Sequence, residues 1–183
     1  MADVPCGIAI DPQTSNIVLA SAPATSLSVR KLAVPDRIQI RRFRPSHLRR
    51  ILQIERDAFP LESYTRDMFL ELYACCGELF SVAKCAGRIA GYMVTSVRAK
   101  DAEIVSIAVD PKYRNRGVGK ALMEHAFTTL KAARVRRVTL TVRPTNRVAI
   151  RFYRGFGFTR VGRLAQYYPD GADALQMQTA FSY

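Results

Sequence analysis

Tryptophan is absent from this sequence, histidine occurs twice and cysteine four times. His47 and His125 lie far apart, and Cys6, Cys75, Cys76 and Cys85 show no C-x-x-C spacing, so no metal is expected. Cys75 and Cys76 are adjacent, which argues against a bridge between them. The cysteines are read as reduced thiols of a cytoplasmic protein. No run of about eighteen apolar residues is present, which excludes a membrane span read from hydropathy. The N-terminus has no basic lead followed by a compact apolar block, so a secretory signal is not expected. Acidic residues are the scarcer charge, 15 against 28 basic ones, for a net charge of +13. That excess points to an acidic partner, whether nucleic acid, a phosphorylated cofactor, a ribosome or an anionic membrane surface. A generic solvated basic face satisfies it equally.

What is present suffices for one core. Of 183 residues, 49% are hydrophobic, and a single domain of that size buries roughly two-thirds of its unfolded surface. Residues 1–35 carry no sustained period and are punctuated by Pro5, Pro12, Pro23 and Pro35. They are read as an N-terminal extension, partly ordered, with a short strand at Asn16 to Ala20. Residues 36–183 are read as the domain. "RIQIRRF" alternates as a strand. "PSHLRRILQIERDAF" and "YTRDMFLELYA" place apolar residues at helical spacing, with Ser46 as the expected cap of the first and Pro60 as its end. "ELFSVAK" and "RIAGYMVTSV" form a hairpin across Cys85-Ala86-Gly87, and "AEIVSIAV" is a third strand. A long helix carries Leu122, Ala126, Phe127, Leu130 and Ala133 on one face. "RRVTLTV" is a strand, Asn146 caps "RVAIRFYRGF", and "GFTRVGR" and "ADALQMQT" close the chain as strands. The order defines an α/β domain with a mixed sheet.

The turn "DPKYRNRGVGKAL" sits between a strand and a helix and holds two glycines among basic residues. A P-loop would need Ser or Thr after Lys120, where Ala121 stands. A dinucleotide fingerprint would need a third glycine in register. A shorter [QR]-x-x-G-x-[GA] turn aims backbone N–H groups and a helix N-terminus at a pyrophosphate. Arg114-Asn115-Arg116-Gly117-Val118-Gly119 fits it.

"VSIAVDPKYRNRGVGKAL", "LTVRPTNRVAIRFYRGFGF" and "YYPDGADALQM" together resemble the GNAT acetyltransferase superfamily, and within it the ribosomal-protein-alanine N-acetyltransferase (RimI-type) group. The resemblance spans about Ile38 to Thr179. It implies a GNAT fold, a mixed central sheet with helices on both faces and two parallel strands that splay apart to admit acetyl-coenzyme A. It implies that Ile107, Ala108 and Val109 offer backbone groups to the pantetheine arm. Arg114, Asn115, Arg116, Gly117, Val118, Gly119 and Lys120 would wrap the pyrophosphate. Asn146 would bond the coenzyme further along, with Ala149 and Ile150 near the thioester; a helix cap accounts for Asn146 equally.

Acyl transfer from a thioester to an amine needs a proton taken from nitrogen and one given to sulphur. Tyr153 matches the family's acid position, although an amphipathic helix would bury an aromatic there in any case. The group's usual glutamate on the strand after the long helix is replaced by Thr141, which cannot act as a base at neutral pH. Glu103 is the alternative base, directly or through water; a solvated carboxylate at a strand start is the plain reading. Alternation puts Glu103 on one face with Val105 and Ile107. An α-amino group, with a pKa of about 7.7–8.0, needs about three kcal/mol less deprotonation work than lysine. A weak or water-mediated base is thus more tolerable for a protein N-terminus, which is the substrate the resemblance implies, a ribosomal protein among the candidates. A small amine is the alternative, as is coenzyme binding without turnover. Leu61 and Glu62 are expected to shape the amine pocket, and Tyr64, Tyr167 and Tyr168 to wall it. Arg37, Arg41, Arg42, Arg44 and Arg49 lack the aromatic interleaving of an RNA-recognition surface, which leaves direct nucleic-acid binding open. A monomer or weak dimer is expected.

Overall fold

The computed structural model describes residues 16–18, 38–60 and 62–183. Its strands are β1 (Asn16–Val18), β2 (Gln39–Arg42), β3 (Phe80–Cys85), β4 (Arg88–Arg98), β5 (Asp101–Val109), β6 (Arg137–Val142), β7 (Thr159–Leu164) and β8 (Ala174–Ala180). Its α-helices are α1 (Leu48–Ala58), α2 (Arg66–Cys76), α3 (Val118–Ala132) and α4 (Arg147–Arg154). The sheet order is β2-β3-β4-β5-β6-β8-β7, with β1 beside β5. Neighbours are antiparallel except β5 with β6 and β1 with β5.

Two apolar layers flank the sheet. Ile51, Ile54, Phe69 and Leu72 of α1 and α2 pack with Phe80, Val82, Tyr92, Val94, Val105 and Ala108. Leu122, Met123 and Leu130 of α3 and Ala149 and Tyr153 of α4 pack on the other face with Ile104, Ile107, Val109 and Leu140. Helices thus cover both faces, as the resemblance implied.

The entry to the first helix differs from expectation. Ser46 does not cap α1. The chain enters through a 3-10 turn at Pro45–His47, with proline fixing its first φ. The Arg44 N–H is satisfied by His47 Nδ1 at 3.1 Å. Thr65 does cap α2, accepting from the Met68 N–H at 3.3 Å. The expectation of uniformly reduced cysteines also fails. Cys76 and Cys85 are free and buried, but Cys75 is disulfide-bonded. Successive helical residues point about 100° apart, so Cys76 turns inward while Cys75 reaches the surface side.

β5 carries the feature that matters most for a site. Its register against β4 shifts by one: Val94 faces Ser106 while Thr95 faces Ile104. Val105 is left as a bulge. The alternation expected for "AEIVSIAV" therefore breaks. Glu103 shares the α1–α2 face with Val105, whereas Ile107 turns to the α3–α4 face. On its other side β5 pairs with β6 only from Asp101↔Arg137 to Glu103↔Thr139. Beyond that rung the parallel strands part.

Candidate active site

The opening between β5 and β6 is bordered by groups from both faces. Glu103 lies on its last paired rung, and burial pushes its carboxyl up from the ordinary value. Thr141, two residues beyond Thr139, donates its hydroxyl to the Tyr167 hydroxyl at 3.3 Å. Tyr167 and Tyr168 are buried and meet edge to face. The Arg143 guanidinium lies 3.8 Å over the Tyr168 ring. It also ion-pairs with Glu62 and, at 3.0 Å, with Asp170. Glu62, Tyr167 and Tyr168 are thereby brought together with two residues the sequence reading did not single out, Arg143 and Asp170. Arg143 stands at i+2 from Thr141, so strand alternation was the signal that could have found it.

Tyr64 is placed differently from expectation. Its ring packs edge to face with Phe69 inside the α1–α2 core, 3% exposed. It forms no open wall, because the 3-residue connection from Glu62 to α2 folds its ring inward. Leu61 lies outside the described residues.

Tyr153 approaches from the α4 side. It is completely buried, and its hydroxyl has no hydrogen-bond partner among the described residues. Burial, assisted by the neighbouring Tyr168, drives its pKa well above the usual phenol value. A partnerless buried hydroxyl costs stability unless something arrives to use it.

The glycine turn is built from left-handed steps. Asn115 has φ 58° and Gly117 φ 83°. Gly117 is the N-cap of α3 and uses an angle that L side chains avoid. Gly119 is different: a Cβ there would meet Phe152 at 3.5 Å and Val109 at 3.7 Å, ordinary contacts. The protein itself does not require that glycine. A cavity of about 280 Å³ opens at this turn, lined by Val109, Arg114, Asn115, Gly117, Val118, Gly119 and Lys120. Tyr113, Val148 and Phe152 complete it; none of the three was singled out from sequence. The apolar wall that Val148 and Phe152 supply follows from their position on the solvent side of α4.

Of the remaining expected contacts, Arg116 lies over the Tyr113 ring at 5.8 Å and Lys120 pairs with Glu124 at 3.7 Å. Asn146 caps α4, accepting from the Ala149 N–H at 3.0 Å. Ala149 is fully buried and Ile150 half-buried against the same core. Ile107, Ala108 and Val109 bury their side chains and present only backbone to the opening. That backbone already has a neighbour. β1 lies parallel to it, with Asn16 beside Ser106, Ile17 beside Ile107 and Val18 beside Ala108. In this structure an extended stretch of the chain itself occupies the slot.

No group of three metal-ligating side chains is found among the described residues. Nor is any of their helices long and apolar enough to cross a membrane.

A mixed sheet whose central parallel strands part, with a glycine turn and its cavity leading into the helix beside them, is the architecture of an acyltransferase. The chain belongs to the acetyltransferase (GNAT) family, which residues 48–158 match, and it is an N-acetyltransferase. It is 34% identical over 152 residues to the N-alpha-acetyltransferase of Sulfolobus acidocaldarius, covering 76% of this chain and 90% of that protein. It is 37% identical over 99 residues to the [ribosomal protein bS18]-alanine N-acetyltransferase of Escherichia coli, covering 52% of this chain and 67% of that one. The structure of Ard1 from Thermoplasma volcanium superposes with a TM-score of 0.77 at 33% identity, covering 80% of this chain and 99% of that chain.

Proposed function

We propose that this protein transfers acetyl from acetyl-coenzyme A to the α-amino group of a protein N-terminus. The buried, partnerless Tyr153 hydroxyl beside the β5–β6 opening supports this reading most directly. The names of the relatives, an N-alpha-acetyltransferase and a ribosomal-protein-alanine acetyltransferase, point to the same class of amine. A ribosomal-protein N-terminus fits the net charge of +13, because the ribosome that carries it is polyanionic.

The residues fit the coenzyme. The 280 Å³ cavity at Arg114–Lys120 offers left-handed backbone and the α3 N-terminus to a pyrophosphate. Gly119, which the fold does not require, leaves room for close approach. The β5 edge at Ser106–Ala108, which β1 pairs with in this structure, offers its peptide groups to the amides of the pantetheine arm once β1 gives way. Bound coenzyme supplies the activated acetyl group.

The chain's own residues then divide the proton work across the sheet. On the α1–α2 face Glu103 accepts a proton from the incoming ammonium, directly or through one water, and burial makes its carboxylate a stronger base than an exposed one. The Val105 bulge turns backbone N–H groups out of the ladder, which suits a developing oxyanion. The amine nitrogen bonds to the acetyl carbon as the carbon–sulphur bond breaks. On the α4 side the Tyr153 hydroxyl gives its proton to the departing sulphur. The burial that keeps Tyr153 protonated also disfavours a free thiolate there, so transfer accompanies bond cleavage. Thr141 is paired with Tyr167 and takes no part as a base. Glu62, held by Arg143, faces the amine entrance beside Tyr168.

Incubation of the purified chain with acetyl-coenzyme A and a library of short peptides tests this. Peptides beginning with Ala or Ser should gain an acetyl group on the α-nitrogen. Acetylation of small amines but not peptides would replace the substrate class.

A further inference from the structure

A second carboxyl group lies close to the site and takes no part in the chemistry above. Glu55 of α1 is 0% exposed. Its Oε1 accepts the backbone N–H of Tyr64 at 3.0 Å. Its Oε2 accepts the hydroxyl of Tyr92 on β4, and that hydroxyl lies 2.9 Å from Ser106 Oγ on β5. Tyr92 and Ser106 are themselves fully buried.

This relay joins two things the reaction must hold at a fixed separation. Tyr64 sits in the connection that begins at Glu62, on the amine side. Ser106 follows the Val105 bulge and opens the stretch of β5 that faces the coenzyme slot. One carboxyl group therefore ties the amine-side loop to the acetyl-side strand, through the sheet's interior. Burying an acid is costly, and α1 already has Leu48, Ile51, Ile54 and Ala58 for packing. An apolar residue at position 55 would pack as well and hold nothing in register.

We propose that Glu55 is a positioning residue, which acts through Tyr64 N–H and the Tyr92–Ser106 pair to set the amine-binding loop against the acetyl-binding strand. It touches neither substrate, since it is sealed beneath the loop. The proposal rests on the site reading given above, and its test separates the two.

The test compares wild type with Glu55→Gln and Tyr92→Phe in the full-length chain. Steady-state kinetics with an Ala-initiated peptide, coenzyme titration by calorimetry and amide hydrogen exchange are the readouts. Gln is isosteric, so the fold and the remote phosphate turn persist. Peptide KM should rise about tenfold while coenzyme Kd stays within about twofold and kcat changes less than KM. Exchange of the amides in residues 62–65 should quicken about tenfold, with α3 unchanged. The double variant should be non-additive with the two singles, as for members of one network. A merely structural glutamate would lower kcat through loss of folded enzyme and leave both substrate constants alone. Unchanged peptide KM, or unchanged exchange at 62–65, would overturn the proposal. A wild-type enzyme that leaves every peptide untouched would sink the substrate assignment instead, and the exchange measurement would still decide the role of Glu55 in holding the loop.

Discussion

Glu103 of β5 lies directly across from Thr139 of β6, on the last paired rung before the two strands separate. The acid therefore stands at the mouth of the opening, on the face opposite α4 and Tyr153. The proposed base and the proposed acid thus lie on opposite faces of the parted sheet.

Replacing Tyr153 by Phe should lower kcat by about 10²–10⁴-fold, the range for losing a positioned proton donor. Coenzyme Kd should stay within about twofold. The hydroxyl has no partner among the described residues, so thermal stability should hold or rise. Turnover equal to wild type removes Tyr153 from the acid role.

The two turn glycines should separate by their failure. Gly117→Ala forces a side chain onto φ 83° and should cost ~1–2 kcal/mol in a denaturant titration. Gly119→Ala meets only ordinary contacts and should fold with wild-type stability. Its coenzyme Kd should weaken about tenfold or more as the methyl group enters the phosphate cavity. Normal affinity in Gly119→Ala would move the pyrophosphate elsewhere.

β1 and the pantetheine arm are expected to use the same edge of β5, and they cannot use it together. Ile17→Pro deletes the N–H of the residue registered with Ile107. Coenzyme affinity should then improve about fivefold, since β1 no longer competes for that state. Equal affinities in the two proteins would show that β1 and the coenzyme occupy different places.

Glu55 gives the stability curve a definite slope. Burial raises its carboxyl to about 7 from an ordinary 4.5, against two opposing hydrogen bonds. The folded state thus holds this proton more tightly than the unfolded chain. The stabilisation is complete below pH about 4.5 and is lost as pH rises through about 7, ~3 kcal/mol in all. The wild-type-minus-Glu55→Gln difference in unfolding free energy should fall across that window. A difference that stays flat, or rises, contradicts the buried acid.

Much of this was legible in the sequence because it rests on local physics. "RNRGVG" declares its turn through Gly117, and "PTNRVAI" declares its cap through Asn146, each within a few residues. Strand β1 at Asn16 was readable, but its partner was not, since pairing is a tertiary choice. The bulge at Val105 was hidden because "IVSIAV" is apolar on both faces, so no alternation exists to show the slip. Glu55 reads as one more residue on a helical face until Tyr64 and Tyr92 close around it. Arg143 looked like part of a basic surplus until Glu62 and Asp170 met it from connections remote in sequence.

Mass spectrometry of the full-length chain reacted with acetyl-coenzyme A and a peptide library bears most directly on the central claim. The account predicts one acetyl group on the α-nitrogen of Ala- or Ser-initiated peptides, lost in Tyr153→Phe and reduced in Glu103→Gln. Acetylation confined to lysine side chains or small amines, or transfer indifferent to both substitutions, would contradict it.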